Sequence, residues 1–486
     1  MKRLLGMLAG VVLVFSCICF PSCKKEEKQR GRYEINAEYR EETQSVSGTV
    51  KVTFINTSAT QLEVLKFNLY PNAYRKNALY PAVGEELQSL AYYAGESYGE
   101  ITVTSVNGAR NWEVGGVDEN ILTVTLVTPL SKNEGITLDL SFVTELSKVE
   151  HRLGVGRRSI NLVNFYPRLC AYVDGVFLED ESCPYGNPFR ADCADYLIRL
   201  TTPSRYEVLG ATGEVIKGLE SKTKYEFSLK NARDFACALV ETSQTLQEKL
   251  TIGKEEVEIC YFAQDIKDGE RILQMAKQAI EYFSETFGSY LYPSLTIVSE
   301  NNALPSFSST AFLFLSENLS EREILPALVG GIARQWWGVG VGSDEMEESW
   351  QTESFIKYST ICFFEKYAEY GLTRASLVGN SLASYKEYFS VYGSIFGGVD
   401  TRMSRPLKAY ANAYEYERLS MDKGVVMLDT LRKSVGDKQF FASMKEYYKA
   451  NRLGFAKPVD VYGAFTKNGL DTEGFFKAFL LGKAVI

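Results

Sequence analysis

The stretch of this chain best placed to do chemistry is Leu328-Val329-Gly330-Gly331-Ile332-Ala333-Arg334-Gln335-Trp336-Trp337-Gly338, followed by Trp350-Gln351-Thr352-Glu353-Ser354-Phe355. On a helix, positions four apart share a face, so 330 and 334 would point to one side, and an acid, Glu353, follows after eighteen intervening residues. Two imidazoles and a carboxylate placed so would hold zinc, and an acid beside the first imidazole would take a proton from the bound water. The residues present are Gly330, Gly331 and Arg334, and the one histidine of the chain, His151, is far away in sequence. Glycine offers no donor, and a guanidinium stays protonated and repels a dication. Glu353 would then be a buried carboxylate without a partner, which is costly, so an ion pair between Arg334 and Glu353 is expected.

The elements that must position these groups fall into two classes. From about Tyr33 to Phe262 apolar residues alternate with polar ones, as in Val46, Val50, Val52 and Phe54 or Leu122, Val124 and Leu126, the mark of half-buried strands. Near Asp268 the period changes to 3.6, with Ile272, Ala276, Ala279, Phe283 and Phe287 along one helix face that Gly288 can close. Short apolar runs at 295–298 and 311–315 predict strands. Pro326 is expected in the first turn of the next helix, which is expected to carry Gly330 to Trp337. Further helices are expected at 348–370, 376–392, 421–435 and 438–450. The fold class is α+β: an N-terminal antiparallel β-sandwich-like domain over 33–262 and a mainly helical domain over 263–486.

The frame around Arg334 resembles the zinc helices of the gluzincin aminopeptidases, the membrane alanyl aminopeptidase family, whose pattern reads H-E-x-x-H-Q-W-x-G and then W-x-x-E-G-F. Gln335-Trp336-Trp337-Gly338 and Trp350-x-x-Glu353-x-Phe355 match it at the family distance. Met421-Asp422-Lys423-Gly424 is similar to the family's Y-x-K-G helix, and Asn68-Leu69-Tyr70-Pro71 and Tyr185-Gly186-Asn187-Pro188 to stretches of bacterial members. The resemblance implies a thermolysin-like second domain, zinc as family cofactor and peptide hydrolysis as family activity. It also implies that Gly330 and Arg334 replace the two zinc-binding histidines, that Gly331 replaces the general base, and that Met421 replaces the oxyanion tyrosine. Phe307 stands where the family's substrate-binding glutamate would be, and Glu353 is the one ligand retained. No cofactor is therefore expected, and the implied protein is a pseudopeptidase binding a peptide or protein. The competing expectation is an active metallo-aminopeptidase with an atypical zinc site.

Residues 1–23 carry Lys2 and Arg3, an apolar run from Leu4 to Phe20, and Phe20-Pro21-Ser22-Cys23. That is similar to a bacterial lipoprotein signal with Cys23 as the lipidated residue, and 24–32 form a charged tether. A lipid-anchored, extracytoplasmic protein of the bacterial cell envelope is expected. Cys170, Cys183 and Cys193 could form one bridge, though buried thiols are the simpler expectation for a chain this large. A net charge of −8 argues against nucleic acid as a partner. The acidic run Asp344-Glu345-Met346-Glu347-Glu348 reads as a solvated face, and His151 as a surface or loop histidine.

Overall fold

The computed structural model describes residues 31–484 apart from 212, 219, 220 and 267. Cys23, the signal and most of the tether lie outside the described residues. The tether is shorter than expected: the first strand, Gly31–Arg40, already pairs at its first residues, Gly31 with Ala194 and Arg32 with Thr53. Arg32 and Glu34 lie on the wetter face of this strand while Tyr33, Ile35 and Ala37 point inward, so charge at its start is compatible with pairing.

That strand sits in a seven-stranded sheet in the order 213–218, 222–232, 194–203, 31–40, 45–55, 135–145, 101–107. Val46, Val50, Val52 and Phe54 are buried, as their alternation requires. The sheet is not wholly antiparallel, because Gly31–Arg40 runs parallel to Ala194–Pro203, with Ile35 opposite Ile198. A parallel neighbour is joined by a long crossover, here most of the first domain, and leaves no local trace in sequence. Two four-stranded sheets and a two-stranded one, Ala171–Val173 with Val176–Leu178, accompany it in this region.

Strands Gln244–Ile252 and Glu255–Ala263 pair onward to Ser294–Glu300 and Phe312–Ser316, in a five-stranded sheet that ends at the edge strand Ser306–Ser309. By hydrogen bonding these two strands belong with the second domain, although their period-two pattern groups them with the first. Helix Gly269–Thr286 covers this sheet with Ile272, Ala276, Ala279 and Phe283.

The next helix, Glu321–Ala333, begins at a capping box in which Ser320 N and Oγ donate to Glu323 Oε2 at 2.9 and 2.6 Å. The cap starts the helix early enough that Pro326 falls inside it rather than in its first turn. Its end also differs from the expected one. Arg334 is the C-cap, Gln335 N and Trp336 N turn back to Ile332 O and Ala333 O at 3.0 Å, and Gly338 takes φ +108°. Gln335 pins this turn to the neighbouring strands through Ser309 O and Ala311 N at 2.9 and 3.0 Å. Trp336 and Trp337 are core residues.

Helices Trp350–Lys366 and Arg374–Phe396 follow, then a helical run through Ala413–Tyr416, a π-helical segment Glu417–Lys423, and Gly424–Val435. A Cβ at Gly424 would lie 1.9 Å from Ser354 Oγ, so glycine is what lets this run pack on Trp350–Lys366. Among the described residues no helix is long and apolar enough to cross a membrane. Cys170 and Cys183 are buried thiols.

Candidate functional site

Arg334 projects from the end of its helix and is held between two carboxylates. Its Nη2 donates to Glu353 Oε1, and its Nη1 to Glu345 Oε2 at 3.2 Å. The guanidinium is 16% exposed and the acids 6% and 4%, so this clasp is nearly dry. Glu345 Oε1 also accepts from Asn187 Nδ2 of the first domain at 3.2 Å. A Cβ on Gly338 would stand 3.3 Å from Arg334 Nη1 and 3.4 Å from Glu345 Oε1, so only the smallest residue leaves the clasp its space.

Burial alone would drive the Arg334 proton off, but Glu353 and then Glu345 more than offset it and hold the guanidinium above its ordinary range. Glu345 is pushed up to about 7, chiefly by burial; Arg334 opposes the shift and the Glu353 charge adds to it. The positive charge is thus permanent while Glu345 is its adjustable partner.

Glu345 is a residue that the sequence pattern does not single out. Most of the acidic run turns inward while Glu347 stays exposed: Asp344 accepts from Arg190 Nη1 at 2.7 Å, Glu345 from Arg334, and Glu348 from Trp350 Nε1 and Ser404 Oγ at 2.6 Å each. What separates it from a solvated run is its position just before a helix that is buried from Trp350 through Ile356.

Gly330 and Gly331 prove unlike one another. A Cβ at Gly330 would meet nothing nearer than Thr360 Oγ1 at 3.5 Å, ordinary contact. One at Gly331 would lie 2.4 Å from Leu313 Cδ1, and Gly331 O accepts from Ser308 Oγ at 2.7 Å. A Cβ at 331 would thus press on the end of the buried Leu313 side chain, and one at 330 would meet only ordinary contacts. Phe307 lies on the edge strand opposite Phe314, rings 4.7 Å apart, and shares a small cavity with Arg334.

Met421 packs at the margin of an apolar cluster with Tyr385, Leu407 and Tyr416, and carries no polar contact to the clasp. The phenol that does reach it electrostatically is Tyr416, whose acidity is suppressed first by burial and then by Glu353 and Glu345, with Arg334 opposing. Tyr416 stands five residues before Met421, and the π-helical turn between them, with its i to i+5 bonding, puts residues five apart nearly on one face. Its hydroxyl is buried without a hydrogen-bond partner. Tyr416→Phe is therefore expected to leave stability unchanged or raise it by up to about 1 kcal/mol, because an unsatisfied buried hydroxyl is a cost. Urea unfolding checks this; a loss above about 1 kcal/mol would reveal a bound partner for the oxygen.

His151 is buried instead of exposed. Its Nδ1 lies 2.7 Å from Tyr74 Oη, and burial with the neighbouring Arg152 lowers its proton affinity, so the ring is neutral.

The residues around Arg334 do not fit zinc. Positions 330 and 331 bring no side chain, and both nearby carboxylates are engaged by a fixed cation. Among the described residues no group of three His, Cys, Asp or Glu side chains is arranged to hold a metal.

No family model matches the sequence, and no curated protein matches it either. Solved structures do. A zinc metallopeptidase of the M1 group from Deinococcus radiodurans superposes with TM-score 0.65 at 15% identity, covering 94% of this chain and 94% of that one. A single-substitution mutant of it gives 0.66 at 15% identity, over 94% and 95% of the two chains. The same mutant bound to a Tyr-Ser-Ala substrate gives 0.64 at 16%, over 94% and 95%. From its sheet-rich first half to its helical second half, the chain has the fold of the M1 zinc metallopeptidases.

Proposed function

We propose that this chain keeps the aminopeptidase fold without its hydrolytic chemistry and works as a lipid-anchored, extracytoplasmic binding or scaffold protein for a peptide or protein. The observation that carries the reading is the clasp of Arg334 by Glu345 and Glu353. Hydrolysis at this place would need a cation that ionises water and a base to accept the proton. Arg334 supplies a cation that binds no water as a Lewis acid, and Gly331 offers no side chain to act as the base. Stored as a closed ion pair, the site favours a fixed architecture over turnover. Phe20-Pro21-Ser22-Cys23 and the charged residues after it support the anchor.

Purified protein dialysed against micromolar zinc is expected to retain well under one zinc per chain and to release no product from aminoacyl anilides. Near-stoichiometric zinc together with hydrolysis would sink the reading in favour of an atypical metallo-aminopeptidase. Zinc without hydrolysis would still contradict the occupancy argument made for Arg334.

A further inference from the structure

The first domain, near Arg334, holds guanidinium and amide donors that the described residues do not satisfy. Arg152 follows His151, lies over the Phe189 ring at 5.2 Å, and donates from Nη2 to Gly186 O at 2.9 Å. Among the described residues it forms no ion pair, and the charge of Arg334 repels it. Arg168 is 1% exposed; Nη1 donates to Asn164 Oδ1 at 2.7 Å, while its Nε and Asn164 Nδ2 are buried without acceptors. The Tyr416 hydroxyl, also without a partner, lies 3.1 Å from where a Cβ of Gly186 would be, beside the carbonyl that Arg152 uses.

Leaving such donors unpaired costs on the order of 1–3 kcal/mol each, so a folded protein seldom keeps several together without use. The nearby acids do not answer them. Asp180 is taken by Arg190 Nε at 2.6 Å and Tyr70 Oη at 2.5 Å, and Asp118 by the backbone N–H groups of Leu79 and Tyr80 at 2.7 and 2.9 Å. Asp234 accepts from Ser309 Oγ, Thr310 N and Thr310 Oγ1 at 2.8 Å each, and Glu345 and Glu353 hold Arg334. Arg233 is spent on the carbonyls of Ala191, Val339 and Gly454.

Two small cavities carry these donors. One has Arg152, His151 and Asn164 in its wall, the other Arg168, Asn187 and Arg334, and Val163 and Phe189 are common to both. Each is about 30 Å³, the space of about two waters and of the head of one carboxylate. Of the unpartnered atoms on residues in their walls, Arg168 Nε and Asn164 Nδ2 are fixed donors that ask for an acceptor, and His151 Nε2 donates or accepts according to its tautomer.

We propose that these adjoining cavities receive a carboxylate, the acidic side chain or chain end of a bound peptide, with Arg152 as its principal charge partner. The inference rests on the reading that the chain binds peptides without cutting them, and gives that ligand its chemistry. A basic or free-amine group would be repelled by Arg152 and Arg334; an amide would satisfy the donors without the charge-assisted part of the bond.

The test is calorimetric titration of the full chain with N-acetyl-Gly-Glu-Gly-amide, its Gln and Lys counterparts, and glutarate. The Glu peptide is expected to bind roughly tenfold or more tighter than the Gln peptide, with the Lys peptide weakest. Arg152→Gln is expected to erase the Glu-over-Gln preference and Arg152→Lys to keep part of it. Glutarate matching the Glu peptide would assign the carboxylate to a free organic acid and uphold the site. Equal affinity for Glu and Gln peptides, preference for Lys, or no binding of any probe would overturn the inference. The comparison on the unaltered chain decides even if Arg152→Gln fails to fold. Release of product from the aminoacyl anilides would instead strike at the non-catalytic reading, so the two failures are told apart.

Discussion

Replacing Arg334 by methionine is expected to destabilise the protein by about 3–5 kcal/mol at pH 8, the loss that follows when one member of a buried ionic group is removed and its partners stay behind. Glu345 and Glu353 would face each other in a nearly dry space with their cation gone. Because protonation relieves that repulsion, the loss should shrink markedly at pH 5. Arg334→Lys keeps the charge but one ammonium cannot present two separated N–H edges to two acids, so an intermediate loss is expected. Adding Glu345→Gln and Glu353→Gln to the methionine variant should recover most of the stability, since the whole group can be neutralised at little cost even where one member cannot be removed. Urea unfolding at both pH values measures all of these. A methionine variant that loses under about 1 kcal/mol at pH 8 would mean that the clasp is not an energetic unit.

Why Arg334 and Glu353 could be connected from sequence while Glu345 could not follows from what the resemblance encodes. Gln335-Trp336-Trp337-Gly338 and Trp350-x-x-Glu353-x-Phe355 match the two zinc helices of the aminopeptidases at the family distance, which places both side chains at one site whatever lies between them. Glu345 arrives on a loop, and a loop's direction depends on contacts such as Asn187 Nδ2 that come from the other domain. Tyr416 escaped for a related reason: the likeness to the Y-x-K-G helix put Met421 at the site, and the π-helical turn Glu417–Lys423 moves the register. Alternation of residue types was enough to define the strands around Val50 or Val124, because one face is buried and the other wet. It could not show that Gly31–Arg40 lies parallel to Ala194–Pro203, or that Glu255–Ala263 pairs across to Ser294–Glu300. Those partners are chosen by the core and not by either strand alone.

Gly331 shows the same limit at the scale of one atom. Adjacent glycines in a helix cost about 1 kcal/mol each relative to alanine, so their presence asks for a reason without naming it. The reason exists at 331, where Leu313 Cδ1 lies 2.4 Å from any added Cβ, and is missing at 330.

Across pH 5 to 8 one carboxyl group remote from Arg334 is expected to weaken the native state by on the order of 3 kcal/mol, against the opposite contribution of the buried, neutral His151 below about pH 6.5. Glu300 ends the strand Ser294–Glu300 where the two domains meet, is 3% exposed, and accepts from Ser159 Oγ, from Asn161 Nδ2 at 2.6 Å and from Asn302 Nδ2 at 3.3 Å. Burial pushes it up to about 8, the amides of Asn161 and Asn302 oppose this, and the charges of Glu150 and Glu317 add to it. A carboxyl whose folded pKa lies above its unfolded one binds more protons when folded. Its stabilisation is complete below about 4.5 and is lost as the pH climbs through about 8. Glu345 acts in the same sense up to about 7. Asp400, drawn down to about 2, changes only at lower pH, and Lys423, pushed down to about 8 by burial, works in the opposite sense only above that value. Glu300→Gln keeps the shape and an acceptor oxygen without the ionisation. Its unfolding free energy should match the parent's at pH 5 within about 1 kcal/mol and exceed it at pH 8, flattening the slope between them. Parallel curves for parent and variant would show that Glu300 keeps its charge inside the fold, and that the seam between the domains tolerates an ion its amides alone must hold.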